Sequence, residues 1–363
     1  MKYVSEFRQG ALVAGLVGAI RDASRPVRIM EVCGGHTHAI CKYGLATLLP
    51  PEVQLIHGPG CPVCIVPAAT LNRAVALADS PATTVACFGD IMRVPGHRGT
   101  LLSRSRNVGK VRMVYSPMEA LEFALASPDR QVVFLAIGFE TTAPSTSMIL
   151  RRARAMDVPN FTVLSAHYLV PPALRALMSE PHTRVDAFIA PGHVSAIIGL
   201  RAYEFLAEEH RCPVVVSGFE ALDILHAVLM ILQQLQRGVA EVDNQYRRAV
   251  CDAGNETAQA AMAETFSVTD AEWRGLGLIH RSGLALAPEY AHWDASVRYP
   301  ADSQERVEKN MPGCRCGDVL RGVIHPRECA SFATACTPED PRGPCMVSTE
   351  GTCAAYYRYG TSE

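Results

Sequence analysis

Two cysteines, Cys61 and Cys64, follow a Gly-Pro-Gly turn with two residues between them. This spacing allows one thiol to attack a disulfide while the other resolves the product. A helix that starts here would favour a thiolate, because its free N–H groups lower the pKa of a nearby cysteine. The pair could also form half of a zinc site, or be inert and buried. The turn brings backbone close to a bound group, which favours the redox or ligating interpretation.

A second candidate centre is the segment CGGHTH, residues 33–38, which directly follows an apolar run. The two glycines would leave room for a ligand beside Cys33. A thiolate with imidazole neighbours suits iron, zinc or copper. A nucleophile–base pair is the alternative, but no G-x-S-x-G segment accompanies it. We therefore favour metal ligation by Cys33, with His36 and His38 as hydrogen-bond or proton donors around the metal.

The last part of the chain holds six of the thirteen cysteines, in the pattern C-x-C-x12-C-x6-C-x8-C-x7-C. Four thiolates can hold an iron–sulfur cluster or a zinc ion. Zinc sites usually contain C-x2-C pairs, and the wide, uneven spacings here favour a cubane cluster instead. Glycine and proline recur every few residues, so we predict a small irregular module that needs its metal to hold together.

The elements that would position these residues are short apolar runs rich in β-branched residues. Because the runs are apolar on both faces and alternate with helical patterns, they predict parallel strands covered on both sides. The fold class is therefore α/β. The runs cover residues 27–32, 53–56, 83–88, 111–115, 131–138, 161–166, 185–190 and 213–218.

Three strand-end loops recur in the same order at nearly one offset along the chain. We interpret this as two similar parallel-sheet α/β domains, with chance similarity among strand–loop–helix units as the alternative. The predicted divisions are a first α/β domain, a second α/β domain, a helical and Gly-rich connecting region, and the Cys-rich iron–sulfur module. They span residues 1–127, 128–238, 239–300 and 301–363.

Ligand sites in open parallel sheets lie beyond the carboxyl ends of the strands. The thiols, imidazoles and carboxylates of this chain cluster in such loops, which predicts one functional cleft. Lysine plus arginine (34) nearly balance aspartate plus glutamate (36), so we expect no nucleic-acid partner. The apolar stretch of residues 10–20 is too short to cross a bilayer, so we expect a cytoplasmic protein without a membrane partner. No standard nucleotide-binding motif is present.

Several unusual strings occur together: EVCGGHTH, HGPGCPVC, FGDIMRVPG, IGFETTAP, PGHVSAIIG and the cysteine-rich tail. In this order they resemble the HypD family of hydrogenase maturation factors over almost the whole chain. The resemblance implies a scaffold for the Fe(CN)2CO unit of [NiFe]-hydrogenases rather than a conventional metabolic enzyme. It also implies a small HypC-type chaperone as partner, and a HypE-type protein that donates cyanide.

The resemblance further implies that Cys33 holds the iron, that Cys61 and Cys64 form a redox dithiol, and that a [4Fe-4S] cluster in the tail supplies electrons. The implied cluster ligands are Cys316, Cys329, Cys336 and Cys353, with Cys314 and Cys345 as spares. His36 and His38 would donate hydrogen bonds to cyanide.

We further hypothesise that Asp90, Glu140 and His193 line the same cleft and move protons during ligand delivery. The competing interpretations are an iron–sulfur thiol–disulfide oxidoreductase that acts on proteins, and a zinc-stabilised interaction protein.

Overall fold

The computed structural model describes residues 10–106, 110–180, 184–300 and 313–360. The predicted module of residues 301–363 is therefore described only between 313 and 360. Within the described ranges, the α-helices of the chain are Gly10–Asp22 (α1), Gly34–Lys42 (α2), Leu45–Leu48 (α3), Pro62–Ile65 (α4), Ala68–Asp79 (α5), Leu101–Ser105 (α6), Pro117–Ala126 (α7), Ala143–Ala155 (α8), Val170–Ser179 (α9), Gly192–Ile198 (α10), Glu204–His210 (α11), Ala221–Arg237 (α12), Glu256–Thr265 (α13), Ala295–Arg298 (α14), Cys316–Leu320 (α15) and Thr352–Tyr359 (α16).

The strands lie close to the apolar runs of the sequence, and three further strands follow residue 240. They are Val27–Glu31 (β1), Val53–His57 (β2), Thr83–Cys87 (β3), Val111–Met113 (β4), Gln131–Gly138 (β5), Phe161–Tyr168 (β6), Ala187–Pro191 (β7), Val214–Ser217 (β8), Val242–Asn244 (β9), Phe266–Trp273 (β10) and Gly277–Leu286 (β11).

A five-stranded sheet has the order β2-β1-β7-β8-β9, and all its neighbours are parallel. From β1 the chain continues to β2 on one side, whereas β7 lies on the other side. The gap between the ends of β1 and β7 is therefore a topological switch point, where open α/β sheets bind ligands. Helices α1 and α12 pack together over the apolar core on one face of this sheet.

A six-stranded sheet has the order β10-β11-β6-β5-β3-β4. Strands β3, β4, β5 and β6 are parallel, and the antiparallel hairpin β10–β11 extends the sheet beside β6. One apolar core links the two sheets and the tail. It contains Val85 and Leu135 of the six-stranded sheet, Phe188 of the five-stranded sheet and Leu320 of the tail.

The predicted α/β class with parallel sheets is confirmed, but the sheets do not follow the predicted divisions of the chain. Strand β3 of segment 1–127 pairs with β5 of segment 128–238, while β7 of the second segment joins β1. The segment 239–300 is more than a connection, because it contributes β9 to one sheet and β10–β11 to the other. Apolar runs predict where strands lie, whereas their pairing depends on tertiary contacts.

The tail from residue 313 is irregular, as predicted, with α15 and α16 as its α-helices among the described residues. Helix α16 packs against α2, so the tail covers the end of the five-stranded sheet. Within the described ranges, no helix is long and apolar enough to cross a membrane.

Candidate functional site

Cys33 lies between β1 and α2, at the N-cap position of the helix. Its backbone N–H donates a hydrogen bond to Glu31 Oε2 at 2.8 Å, and the Thr37 hydroxyl donates to the other oxygen of the same carboxylate. Both Cys33 and Glu31 are buried, at 2% and 0% exposure. Burial, with the nearby carboxylates of Glu31 and Glu350, raises the pKa of the Cys33 thiol.

The loop of the Cys61–Cys64 pair lies directly against the Cys33 loop. The Gly34 N–H donates to the Gly60 carbonyl oxygen at 3.0 Å. A Cβ atom on Gly60 would stand 2.1 Å from the Cys33 backbone nitrogen, closer than any side chain can approach. Glycine at position 60 therefore allows the two cysteine loops to lie side by side.

His193 reaches the Cys33 thiol from across the switch point, because it follows β7. The Cys33 Sγ lies 3.7 Å from His193 Nδ1. The His193 ring packs on Phe219 with a centroid separation of 5.2 Å. Burial and the nearby His36 lower the pKa of His193 to about 4, so the imidazole is neutral at pH 7.

The two histidines of the CGGHTH segment point to different surroundings. His36 is buried, stacks on Phe219, and donates from Nε2 to the Gly218 carbonyl at 2.9 Å. Its Nδ1 is buried without a hydrogen-bond partner among the described residues, and burial lowers its pKa. His38 contacts the tail instead, through the Thr349 carbonyl and the Tyr359 ring.

A cleft at the strand ends brings Asp90 and His193 together with the loop of the Cys61–Cys64 pair. Asp90 accepts a hydrogen bond from the Ser348 hydroxyl at 2.7 Å. Glu350 of the tail also lines this cleft, and burial followed by the charge of Asp90 raises its pKa. A Cβ atom on Gly34 would stand 2.5 Å from Glu350 Cβ. Glycine at position 34 therefore leaves room for the Glu350 side chain of the tail.

The strand-end rule does not predict Glu350, because this residue does not follow a strand. It belongs to the irregular tail, and only the tertiary packing of that tail brings it to the cleft. A buried pair, Glu31 and His57, lies next to Cys33. There His57 Nδ1 donates to Glu31 at 2.5 Å, and His57 Nε2 is hydrogen-bonded to the Tyr356 hydroxyl at 2.9 Å.

Glu140 follows β5, as the sequence indicates, but it does not belong to the residues that line this cleft. It is buried behind the cleft, where Oε1 accepts a hydrogen bond from the Val170 N–H at 2.9 Å, at the start of α9. Its Oε2 has no hydrogen-bond partner in the described part of the chain. Burial raises the pKa of Glu140 to about 7.

The Cys61–Cys64 pair occupies the short helix α4, with Cys61 as N-cap and Pro62 in the first turn. The second proline, Pro67, precedes the following helix α5. Burial raises the pKa of Cys64, which is fully buried. The expected lowering of the thiol pKa is therefore wrong for Cys64, since loss of solvation outweighs the helix N-terminus.

The tail cysteines and the Cys61–Cys64 pair form one connected group. The thiols of Cys61 and Cys345 interact with the Cys64 thiol and affect its pKa. Cys345 interacts in turn with Cys316, which also interacts with Cys314. We call Cys61, Cys64, Cys345 and Cys316 the thiol series. One cavity is lined by all six tail cysteines: Cys314, Cys316, Cys329, Cys336, Cys345 and Cys353.

The donors of this cavity suit an iron–sulfur cluster, because cysteine thiolates are the ligands that such clusters use. The lining also includes the apolar Val319, Phe332 and Met346 and the basic Arg315 and Arg342. In the structure the thiols contact one another, and no group of three or more His, Cys, Asp or Glu side chains within the described ranges is arranged to hold a metal ion.

The fold and site define a class of protein: an α/β chain whose strand-end thiols meet a cysteine-lined tail cavity. The family model HypD, described as "Hydrogenase formation hypA family", matches residues 11–360. The chain is 48% identical to the hydrogenase maturation factor HypD of Rhizobium leguminosarum bv. viciae, over 99% of this chain and 96% of that protein. It is 47% identical to HypD of Escherichia coli (strain K12), over 100% and 99% of the two chains. The chain belongs to the HypD family of hydrogenase maturation factors.

Proposed function

We propose that this chain is the scaffold on which the Fe(CN)2CO unit of [NiFe]-hydrogenases is assembled, together with a HypC-type chaperone and a HypE-type cyanide donor. The observation that carries the proposal is the position of the Cys33 thiol, 3.7 Å from His193 at the switch point of the five-stranded sheet. The cytoplasm is the proposed location, because its reducing conditions keep thiols available for metal and redox chemistry.

In this proposal iron is the substrate, and Cys33 is its anchor. Metal binding requires the thiolate, so the buried Cys33 thiol must lose its proton as iron arrives. The neutral His193 ring is positioned to accept that proton or to orient the sulfur. Asp90 and Glu350 line the cleft that His193 also lines, and they offer carboxylates for passing protons towards solvent. Glu140 lies behind the cleft, so its proposed part in proton movement would have to be indirect.

The proposed electron path runs through the thiol series. A [4Fe-4S] cluster in the tail would supply single electrons when it is bound. The resemblance implied Cys316, Cys329, Cys336 and Cys353 as its ligands. The interactions of Cys316 alone do not decide between Cys316 and Cys314, because Cys316 interacts with Cys314 as well as with Cys345.

The surroundings of Cys336 favour Cys314 in place of Cys316 as a ligand. Cys314 and Cys329 are the cysteines whose charges act on Cys336. We therefore propose Cys314, Cys329, Cys336 and Cys353 as ligands. Iron analysis of Cys314→Ser and Cys316→Ser tests whether Cys314 or Cys316 is the fourth ligand. We expect cluster iron to be lost only in the variant that lacks a ligand.

The scaffold role is tested with Cys33→Ala, purified anaerobically with its HypC-type partner. We expect the infrared bands of iron-bound cyanide and CO to disappear. Cys41→Ala, on the same helix α2, is the matched control and should keep them. Bands of full intensity in Cys33→Ala would contradict the anchoring role.

The second candidate function is an iron–sulfur thiol–disulfide oxidoreductase that acts on protein partners. The continuous thiol series favours it, since it would serve such an activity equally well. That function leaves the Cys33–His193 contact without a role. It therefore predicts thiol exchange with partner proteins and no cyanide or CO bands in any variant.

A further inference from the structure

The turn of the β10–β11 hairpin reaches from the six-stranded sheet to the thiol series. The Arg274 backbone N–H donates to the Ile65 carbonyl at 2.7 Å, and its side-chain Nε donates to the Val66 carbonyl at 2.8 Å. Gly275 has a φ of +81°, and a Cβ on it would stand 2.4 Å from the Gly317 Cα. The turn is thus held between the helix of the Cys61–Cys64 pair and the first helix of the tail.

The hairpin is held by packing and a hydrogen bond at this point. Trp273, next to Arg274, is buried and donates from Nε1 to the Ser282 hydroxyl at 2.8 Å. Its ring also packs against Tyr168 and Phe139. The position of Arg274 is therefore set by the six-stranded sheet on one side and by the Ile65 and Val66 carbonyls on the other.

Arg274 carries a buried charge that is only partly satisfied by hydrogen bonds. Its side chain is 6% exposed, and its Nη2 has no hydrogen-bond partner in the part of the chain that the structure describes. Burying an unpaired charge is costly, so such a group usually has a compensating negative partner. The charge of Arg274 acts on the sulfurs of Cys64, Cys314, Cys316 and Cys345.

We propose that Arg274 is a positioning residue whose fixed positive charge stabilises the thiol series in its reduced form. Sulfur gains negative charge when electrons arrive, and a buried cation nearby favours that state. Stabilising the reduced form raises the reduction potential of a disulfide, so the series accepts electrons more readily. The inference rests on the proposed redox function of the thiol series.

The reaction concerned is the reduction of the Cys61–Cys64 disulfide by a dithiol. The S–S bond of the protein breaks as it gains two electrons, and the dithiol loses two electrons and closes its own S–S bond. The two protons of the dithiol pass to the protein sulfurs, or to solvent where a sulfur stays anionic. Dithiothreitol is the reductant in the test.

The test compares Arg274→Met with the wild-type chain, both full-length and purified anaerobically with equal iron content. Each is equilibrated with graded ratios of reduced to oxidised dithiothreitol, and the disulfide is quantified by thiol alkylation and peptide mass spectrometry. We expect the equilibrium constant for reduction to fall about tenfold, which is about 30 mV for a two-electron couple. Arg274→Lys keeps the charge and should stay within about threefold of wild type.

Arg28→Met is the matched control, because Arg28 donates to the Gly322 carbonyl of the tail at 2.9 Å without being among the charges that act on the thiol series. Its midpoint should equal that of wild type. A purely structural role of Arg274 would lower the melting temperature of both Arg274 variants and leave the potential unchanged. An unchanged midpoint in Arg274→Met overturns the inference. If the wild type itself forms no disulfide in the thiol series, this result contradicts the proposed redox function on which the role of Arg274 rests.

Discussion

The two cysteine-bearing regions of this chain are positioned by different physical means. At the strand ends, parallel strands and buried hydrogen bonds hold the cysteine loops, as the contacts of Cys33 with Glu31 show. The tail has short helices and turns, and its own apolar cluster is small, with Cys336, Met346 and Ala354 at its centre. From this difference we expect the cleft to keep its shape without metal, and the tail to depend on what its cysteines bind.

The largest expected difference between the two regions follows removal of iron with a chelator under anaerobic conditions. We expect amide hydrogen exchange in α15 and α16 to rise about a hundredfold, equivalent to about 3 kcal/mol of local stability. Exchange in β1 and β5 should stay unchanged, because apolar packing holds them. Exchange measured by mass spectrometry, with a sample in buffer alone as control, checks this. An equal rise in β1 and β5 would show that the sheets depend on iron as much as the tail does.

Gly60→Ala tests how tightly the cleft is built. The new Cβ would collide with the Cys33 backbone nitrogen, so we expect the free energy of unfolding to fall by about 3 kcal/mol. Gly18→Ala in α1 is the matched control. Its Cβ meets nothing within 4 Å, so it should be neutral or stabilise by about 0.5–1 kcal/mol. Urea unfolding of both variants measures the difference, and equal values would contradict close contact of the two loops.

The buried carboxyl of Glu140 gives the sheet region a pH dependence. Its pKa is raised by burial from 4.5 to about 7 in the folded state. Between these values the folded protein binds more protons than the unfolded chain, so the free energy of unfolding falls as pH rises.

Relative to Glu140→Gln, wild type should lose about 2 kcal/mol between pH 4.5 and pH 7.5. Urea unfolding across this range, with the exposed Glu208→Gln as control, measures the loss. Parallel profiles of wild type and Glu140→Gln would contradict the raised pKa.

The smallest expected effect concerns the junction of the two regions. Tyr356→Phe removes the hydroxyl that is hydrogen-bonded to His57, and we expect a loss of about 1 kcal/mol in the free energy of unfolding. The exposed neighbour Tyr357→Phe should change it by less than about 0.5 kcal/mol. A loss of similar size in both variants would show that the bond to His57 does not join the tail to the sheet.

The sequence predicts the parallel strands well, because their apolar runs reflect burial on both faces. It does not reveal that β3 pairs with β5 across the predicted boundary, since the residues of one strand do not determine which strand pairs with it. The cysteine loops and His193 were predictable from the rule that ligands bind beyond strand ends. Glu140 satisfies the same rule, yet its side chain turns towards α9.

The residues that escaped prediction come from elements without a strand-end signal. Glu350 lies in the irregular tail, and Arg274 lies in a hairpin turn whose pattern indicated a connection. The resemblance makes Cys345 a spare thiol, although it interacts with Cys64 from the far end of the chain. Each of these positions depends on how the tail and the hairpin pack on the sheets.

We propose that thiols from separate loops meet and form one series that leads to the tail cavity. Disulfide mapping by mass spectrometry, after mild oxidation of the native, anaerobically purified chain, tests this proposal. We expect bonds within the set Cys61, Cys64, Cys345 and Cys316, including a Cys64–Cys345 bond when Cys61 is replaced by Ser. Reduced Cys64 and Cys345 in that variant, or bonds from either to cysteines outside the set, would contradict it.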